Sequence, residues 1–329
     1  MANKLKEFIA EVKPKVDAFI AEILKGEPKK LYDAAYHLPS VGGKRLRPAL
    51  VIMVARTLGA TFEEALAPAA SVELLHNFTL VHDDIMDKDE KRRGVPTVHV
   101  LYGEPMAILA GDVLYAKAYE ALLKAPQRPD IVVEMTRMLT WAAVTVAEGQ
   151  ALDMMFEDRW DVSEEEYIEM VKKKTGALFG ASAALGALSA SKPELKDLLK
   201  EFGILLGIAF QIKDDILSLV GDEKVTGKKK YNDLKEGKKT LLVIKALERL
   251  SEEEKKKLMS ILGNQNATDE ELAETANLII KSGALDYALK KADEIGKRAL
   301  EILNSLPTKN PEYLELLKEL VDFAVKREY

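Results

Sequence analysis

The chain has 329 residues, 47% hydrophobic and 31% charged, enough to bury a large core beneath an ordinary polar surface. A formal net charge of −6 argues against bulk nucleic-acid binding, because phosphate-tracking surfaces are basic, and the absence of cysteine excludes disulfides and thiolate metal sites. No stretch approaches the ~20 apolar residues that span a bilayer, so a cytoplasmic protein without a transmembrane segment is expected.

Helical periodicity runs along almost the whole sequence. The N-terminus is amphipathic with charges throughout, which predicts a helix over 2–25 rather than a signal peptide. Helices are then expected over 29–37, 45–58, 62–87, 104–124, 129–158, 163–189 and 193–221, followed by 238–249, 251–262, 268–282, 284–304 and 310–327. Ser163 with Glu166, Ser251 with Glu254 and Thr268 with Glu271 have the spacing of capping boxes. Gly283 falls where the 268–282 helix should end. Alternating strand patterns with hairpin turns are absent, as are linkers and fixed-period repeats. The helices between 62 and 221 are apolar on more than one face and should form the centre of one bundle. The expectation is all-α, with a single domain over 1–329.

Two segments carry chemistry. In LVHDDIMDKDEKRRGVPTVH, residues 80–99, an apolar helix ends in Asp83, Asp84 and Asp87, and Arg92–Arg93–Gly94 follow. Asp83 and Asp87 lie one turn apart on the face that also carries His76 and Leu80, with Asp84 about 100° away. Carboxylates are unfavourable at a helix C-terminus, so a cation should compensate them. The pattern returns at Asp214–Asp215, which again close an apolar run and precede a lysine-rich, glycine-containing segment. Divalent cations between the carboxylates, with a polyanion between cations and basic side chains, account for both, and Mg²⁺ suits hard oxygen ligands best. Taken singly, lysine runs such as Lys172–Lys174 and Lys228–Lys230 read as solvated faces, and His76 as a core histidine. Glu73–His76 has the ExxH spacing of di-iron bundles, but no second ExxH exists among the four histidines, and that reading fails.

The order of these segments resembles the trans-isoprenyl diphosphate synthases, makers of geranyl, farnesyl and geranylgeranyl diphosphates. The likeness covers about residues 30–245: GGKRLRP at 42–48, HNFTLVHDDIMDKDEKRRG at 76–94, AGD at 110–112, GQALD at 149–153, KT at 174–175, FQIKDD at 210–215, and Lys228 and Lys238. It implies an isoprenoid synthase bundle with a central substrate cavity. In the implied reaction an allylic diphosphate ionises, isopentenyl diphosphate attacks the carbocation and a proton leaves. Asp83, Asp84, Asp87, Asp214 and Asp215 are the implied ligands of three magnesium ions. Arg92, Lys174, Lys228 and Lys238 are implied to clamp the allylic diphosphate; Lys44, Arg47, His76 and Arg93 are implied to hold isopentenyl diphosphate without metal. Thr175 and Gln211 are implied to face the carbocation, and Gln150 and Asp153 the same cleft. The diphosphate that must leave thus receives metal ions, and the one that must stay receives basic side chains.

One departure from the family stands out: the second acidic motif reads Asp214-Asp215-Ile216-Leu217-Ser218, and a serine in place of aspartate predicts weaker Mg²⁺ affinity. Phe78 and Thr79, five and four residues before Asp83, are the candidate chain-length residues. A lone aromatic at 78 resembles synthases that stop at C20, with farnesyl or mixed C15/C20 synthesis as the alternative. A terpene cyclase would lack the isopentenyl diphosphate residues, and a non-catalytic regulatory subunit would need a partner to form product. The resemblance also implies a homodimer.

Overall fold

A computed structural model describes residues 1–226 and 229–326; Lys228 lies outside them. The chain opens with helices α1 (Asn3–Ile23), α2 (Lys29–Ser40), α3 (Leu46–Thr57) and α4 (Phe62–Asp87). A hairpin of strands β1 (Lys91–Arg92) and β2 (Val95–Pro96) follows, then α5 (Val98–Tyr102), α6 (Glu104–Leu122) and α7 (Pro129–Phe156). Next come α8 (Glu164–Val171), a π-helical turn over Lys172–Gly176, α9 (Ala177–Ser189) and α10 (Lys196–Val220). Short helices α11 (Glu223–Thr226) and α12 (Asn232–Glu236) lead to α13 (Leu241–Arg249), α14 (Glu252–Ile261), α15 (Asp269–Lys281), α16 (Ala284–Ser305) and α17 (Pro311–Lys326).

The expected all-α class holds. All three capping boxes form, with reciprocal bonds between the Ser or Thr side chain and the Glu three residues on. A fourth, Thr61 with Glu64, starts α4 and was not anticipated. Gly283 ends α15 at φ +86°, a left-handed conformation that suits glycine. Three local features depart from the periodic reading. The expected 163–189 helix is interrupted by the π-turn. The segment expected to be free of strands holds a two-residue ladder, Lys91 with Pro96 and Arg92 with Val95. Its turn is Arg93–Gly94, both at positive φ (+54° and +76°), as a two-residue turn of the primed type requires. Finally, α5, α11 and α12 are too short to register as a periodicity.

Contacts divide the chain into two compact units. The first comprises Met1–Ala143, Leu178–Gly203 and Ser305–Glu319; the second Val144–Ala177, Ile204–Asn304 and the end of α17 from Leu320. In the first unit α3 is buried nearly all round, and Leu50, Ile52, Met53, Leu74, Leu75 and Leu114 form its fully buried centre. α4 and α6 pack along each other there. In the second unit the π-turn, the end of α7 and the C-terminal half of α10 frame a cleft that the buried Tyr167 also lines, and Ile212, Ile216 and Leu241 belong to this unit's buried core.

Candidate active site

In the first unit, α4 delivers the first acidic motif. Lys88 caps the helix in the left-handed conformation, its N–H donating to Asp84 O and Ile85 O. The three carboxylates then take different environments. Asp83 is half-buried and Asp87 exposed, whereas Asp84 is only 1% exposed. Arg92 reaches back from the hairpin and donates through Nε to both Asp84 oxygens, at 2.8 and 3.0 Å. Burial nevertheless holds the Asp84 carboxyl above its usual range. Asp84 is therefore set apart from the other two, and Arg92 is engaged with it.

Arg93 leaves the same hairpin for other partners. Its Nη1 donates to Leu38 O at 2.9 Å and lies 3.4 Å from Asn77 Oδ1. Its guanidinium also crosses Gly43 so closely that a Cβ there would sit 3.0 Å from Nη2. The GGKRLRP segment thereby sorts its cations. Arg45, fully buried, is neutralised by Asp17 and Glu73 at 2.7 Å each. Glu73, the acid of the rejected ExxH, thus serves a structural ion pair. Lys44 is exposed. Arg47 lies over the Phe179 ring at 4.4 Å, and its Nη1 is 3.3 Å from His76 Nε2. Among the described residues its buried Nε has no hydrogen-bond partner. Burial, then Arg93 against a partial offset from Glu73, lowers the Arg47 guanidinium to about 10. Burial and the surrounding arginines push His76 well below its usual value, so its ring is neutral near pH 7. Arg47 and Arg93 thus concentrate positive charge beside a neutral imidazole and the buried Arg47 Nε.

Phe78 projects from α4 against α6. Its ring packs edge-on to His82 (centroids 4.9 Å) and to Tyr115 (5.2 Å), and Tyr115 meets Tyr119 at 5.3 Å. The AGD glycine finds its reason here: a Cβ on Gly111 would overlap the His82 ring, whose Nε2 donates to Ile108 O at 3.0 Å. Thr79 instead turns its hydroxyl back to His76 O at 2.6 Å.

The second unit holds the other acidic motif in a cleft of about 690 Å³, part of it open to solvent. Lys174 Nζ binds Asp153 Oδ2 at 2.6 Å. Thr175 Oγ1 donates to Gln211 Oε1 at 3.0 Å, and Gln211 Nε2 donates to Asp215 Oδ1 at 2.9 Å. The other Asp215 oxygen accepts from the Tyr167 hydroxyl. Burial, then Asp233, raises the Asp215 carboxyl to about 8 against the hydrogen bonds of Tyr167 and Gln211. Burial lowers Lys238, but Asp233, Glu236 and Asp153 more than offset it and hold Lys238 above its usual value. Asp214 lines the same cleft. Gln150 is buried with its Oε1 lacking a partner among the described residues. Tyr167 and Asp233 were missed from sequence, since nothing in their local spacing connects them with residues 211–215.

Residues 28–279 match the polyprenyl synthetase family. The chain belongs to that family. The geranylgeranyl diphosphate synthase of Sulfolobus acidocaldarius is 46% identical, over 97% of this chain and 98% of the relative. The geranylfarnesyl diphosphate synthase of Aeropyrum pernix is 44% identical, over 95% and 99% respectively. The crystal structure of a geranylgeranyl pyrophosphate synthetase from Pyrococcus horikoshii superposes with a TM-score of 0.92 at 41% identity, covering 99% of this chain and all of that one. This polyprenyl synthetase thus has the helical isoprenoid synthase fold and is a trans-prenyltransferase.

The second-unit residues fit Mg²⁺. Asp153, Asp214, Asp215 and Asp233 all line the cleft, four carboxylates against Lys174, Lys238 and Lys239, so it offers the hard oxygen donors that Mg²⁺ prefers. Among the described residues no three carboxylates or imidazoles converge into a ready cage. Mg²⁺ does not require one, being held typically by one or two carboxylates, waters and substrate phosphates.

Proposed function

We propose that this chain is a Mg²⁺-dependent geranylgeranyl diphosphate synthase. It condenses isopentenyl diphosphate with dimethylallyl, geranyl or farnesyl diphosphate, releasing diphosphate, and works as one domain over 1–329 in the cytoplasm as a homodimer. The observation that carries the reading is the contrast between two charged sites. The group of Lys44, Arg47, His76 and Arg93 sets a second arginine beside Arg47, whose buried Nε has no hydrogen-bond partner among the described residues, whereas the 214–215 cleft gathers Asp153, Asp214, Asp215 and Asp233. The first suits a diphosphate that stays. The second suits a diphosphate that arrives with metal and leaves.

In this reading Arg47 offers its unpaired Nε, with Lys44, neutral His76 and Arg93 beside it, to isopentenyl diphosphate. Lys174 and Lys238 receive the allylic diphosphate, joined by Lys228. Arg92 acts on that diphosphate from its bond to Asp84. Asp83, Asp87, Asp214 and Asp215 hold the metal ions, three per site, with Asp84 supporting the first motif. Bound Mg²⁺ supplies Lewis-acid stabilisation of the negative charge that builds on the leaving diphosphate. Thr175 and Gln211, joined by a hydrogen bond, present neutral oxygen dipoles to the carbocation in a site from which water must be excluded, since it would quench the cation. No side chain takes the proton; the departing diphosphate does. Phe78, braced by His82 and Tyr115, stops the growing chain at C20. The exposed apolar side chains Ile108, Leu109, Tyr115 and Val133 support a partner copy.

Purified protein incubated with Mg²⁺, isopentenyl diphosphate and farnesyl diphosphate tests this reading. It predicts a C20 diphosphate formed by this chain alone; product only in the presence of a second polypeptide would make it a regulatory subunit.

A further inference from the structure

Glycine in a helix interior is less favourable than alanine, so Gly149, seven residues before the end of the 28-residue α7, needs a reason. The contact it makes supplies one. A Cβ at 149 would lie 2.6 Å from Lys174 Cα and closer still to Lys174 N, both backbone atoms that cannot swing aside. The π-turn carries one more residue than an α-turn, and its bulge rests on the bare backbone of Gly149. The flanking α7 side chains take hold of the same turn: Glu148 accepts from Lys173 Nζ, and Asp153, one turn along from Gly149, accepts from Lys174 Nζ at 2.6 Å. On its far side Thr175 bonds Gln211.

We propose that Gly149 is a positioning residue: it seats the π-turn, and the seated turn aims Lys174 Nζ and Thr175 Oγ1 at the allylic diphosphate and its carbocation. This rests on the proposed reading of Lys174 and Thr175 as allylic-site residues. The helix propensities of residues 163–189 favour an unbroken α-helix, in which side chains before and after the extra residue would differ in direction by about 100° from those observed. The glycine makes room for the alternative.

Gly149→Ala tests the seat, with steady-state kinetics on farnesyl and isopentenyl diphosphates and a melting curve. Displacing Lys174 and Thr175 should lower kcat/KM for farnesyl diphosphate by about 100-fold while KM for isopentenyl diphosphate stays within about twofold. Deleting Lys172 removes the extra residue without adding an atom at 149, and should give the same allylic-specific loss in a folded protein. A variant that folds and keeps kcat/KM for farnesyl diphosphate overturns the inference, as does an equal rise in both KM values. Failure of both variants to fold overturns it too, by making the contact purely structural. Lys174→Ala separates this from the underlying reading. If Lys174→Ala leaves farnesyl diphosphate kinetics intact, the allylic role of Lys174 is wrong; if it impairs them and Gly149→Ala does not, only the seat is wrong.

Discussion

The β1–β2 turn sends neighbouring arginines to separate tasks, Arg92 to Asp84 and Arg93 to Leu38 O, Asn77 and the bare backbone of Gly43. The three aspartates of one motif therefore differ in consequence. Asp83→Ala should lower kcat by at least about 10²-fold with little change in stability, the scale of removing one electrostatic stabiliser. Asp84→Asn should instead cost about 1–3 kcal/mol in denaturant unfolding, because the half-buried Arg92 guanidinium loses its counter-charge and its bidentate acceptor. Ser218 also changes meaning once placed. It is 6% exposed, its carbonyl accepts from Tyr231 N–H at 2.9 Å, and its Oγ lies 3.4 Å from Asp233 N. It shares a small cavity with Asp215 and Asp233. Ser218→Asp would add a buried carboxylate beside buried Asp215 and half-buried Asp233, so its first effect in metal-free buffer is a lower melting temperature. Mg²⁺ with inorganic pyrophosphate should restore part of that loss, and an unchanged melting temperature in EDTA would show that position 218 tolerates the charge.

At the scale of elements, helix ends were legible and tertiary contacts were not. Capping boxes are read within four residues, so Ser163, Ser251 and Thr268 could be named from spacing alone. The Arg93–Gly94 turn was invisible because the sequence there offers arginine, not asparagine or aspartate, at the first left-handed position. Gly111 and Gly149 were legible only as motif letters, since what explains each is a ring or backbone from a distant element. Phe78 belongs to the same scale, because its effect depends on the α4–α6 contact with His82 and Tyr115. Phe78→Ala should let product grow beyond C20 from isopentenyl and farnesyl diphosphates, read by chromatography of the dephosphorylated alcohols. Unaltered length would assign the stop elsewhere. The C25-forming name of a 44% identical relative means that overall similarity does not decide this point.

For the whole molecule, the all-α class and the two acidic runs were readable because each rests on side-chain type in a helical register; the basic group of Lys44, Arg47, His76 and Arg93 was readable only through the family resemblance. The sites' supporting residues, Tyr167 and Asp233, were not, because only folding brings them to Asp215. Oligomeric state belongs to this scale as well. Light scattering should give twice the 36.5 kDa chain mass, and replacing exposed Ile108 and Leu109 by charged residues should shift it toward the monomer. The most direct measurement is a single assay: the purified chain with isopentenyl and farnesyl diphosphates, with Mg²⁺ or with EDTA, and products sized. A C20 diphosphate that requires both substrates and disappears with EDTA is the predicted result. Product formed without isopentenyl diphosphate, or at an undiminished rate in EDTA, would contradict a metal-assisted condensation at these two sites.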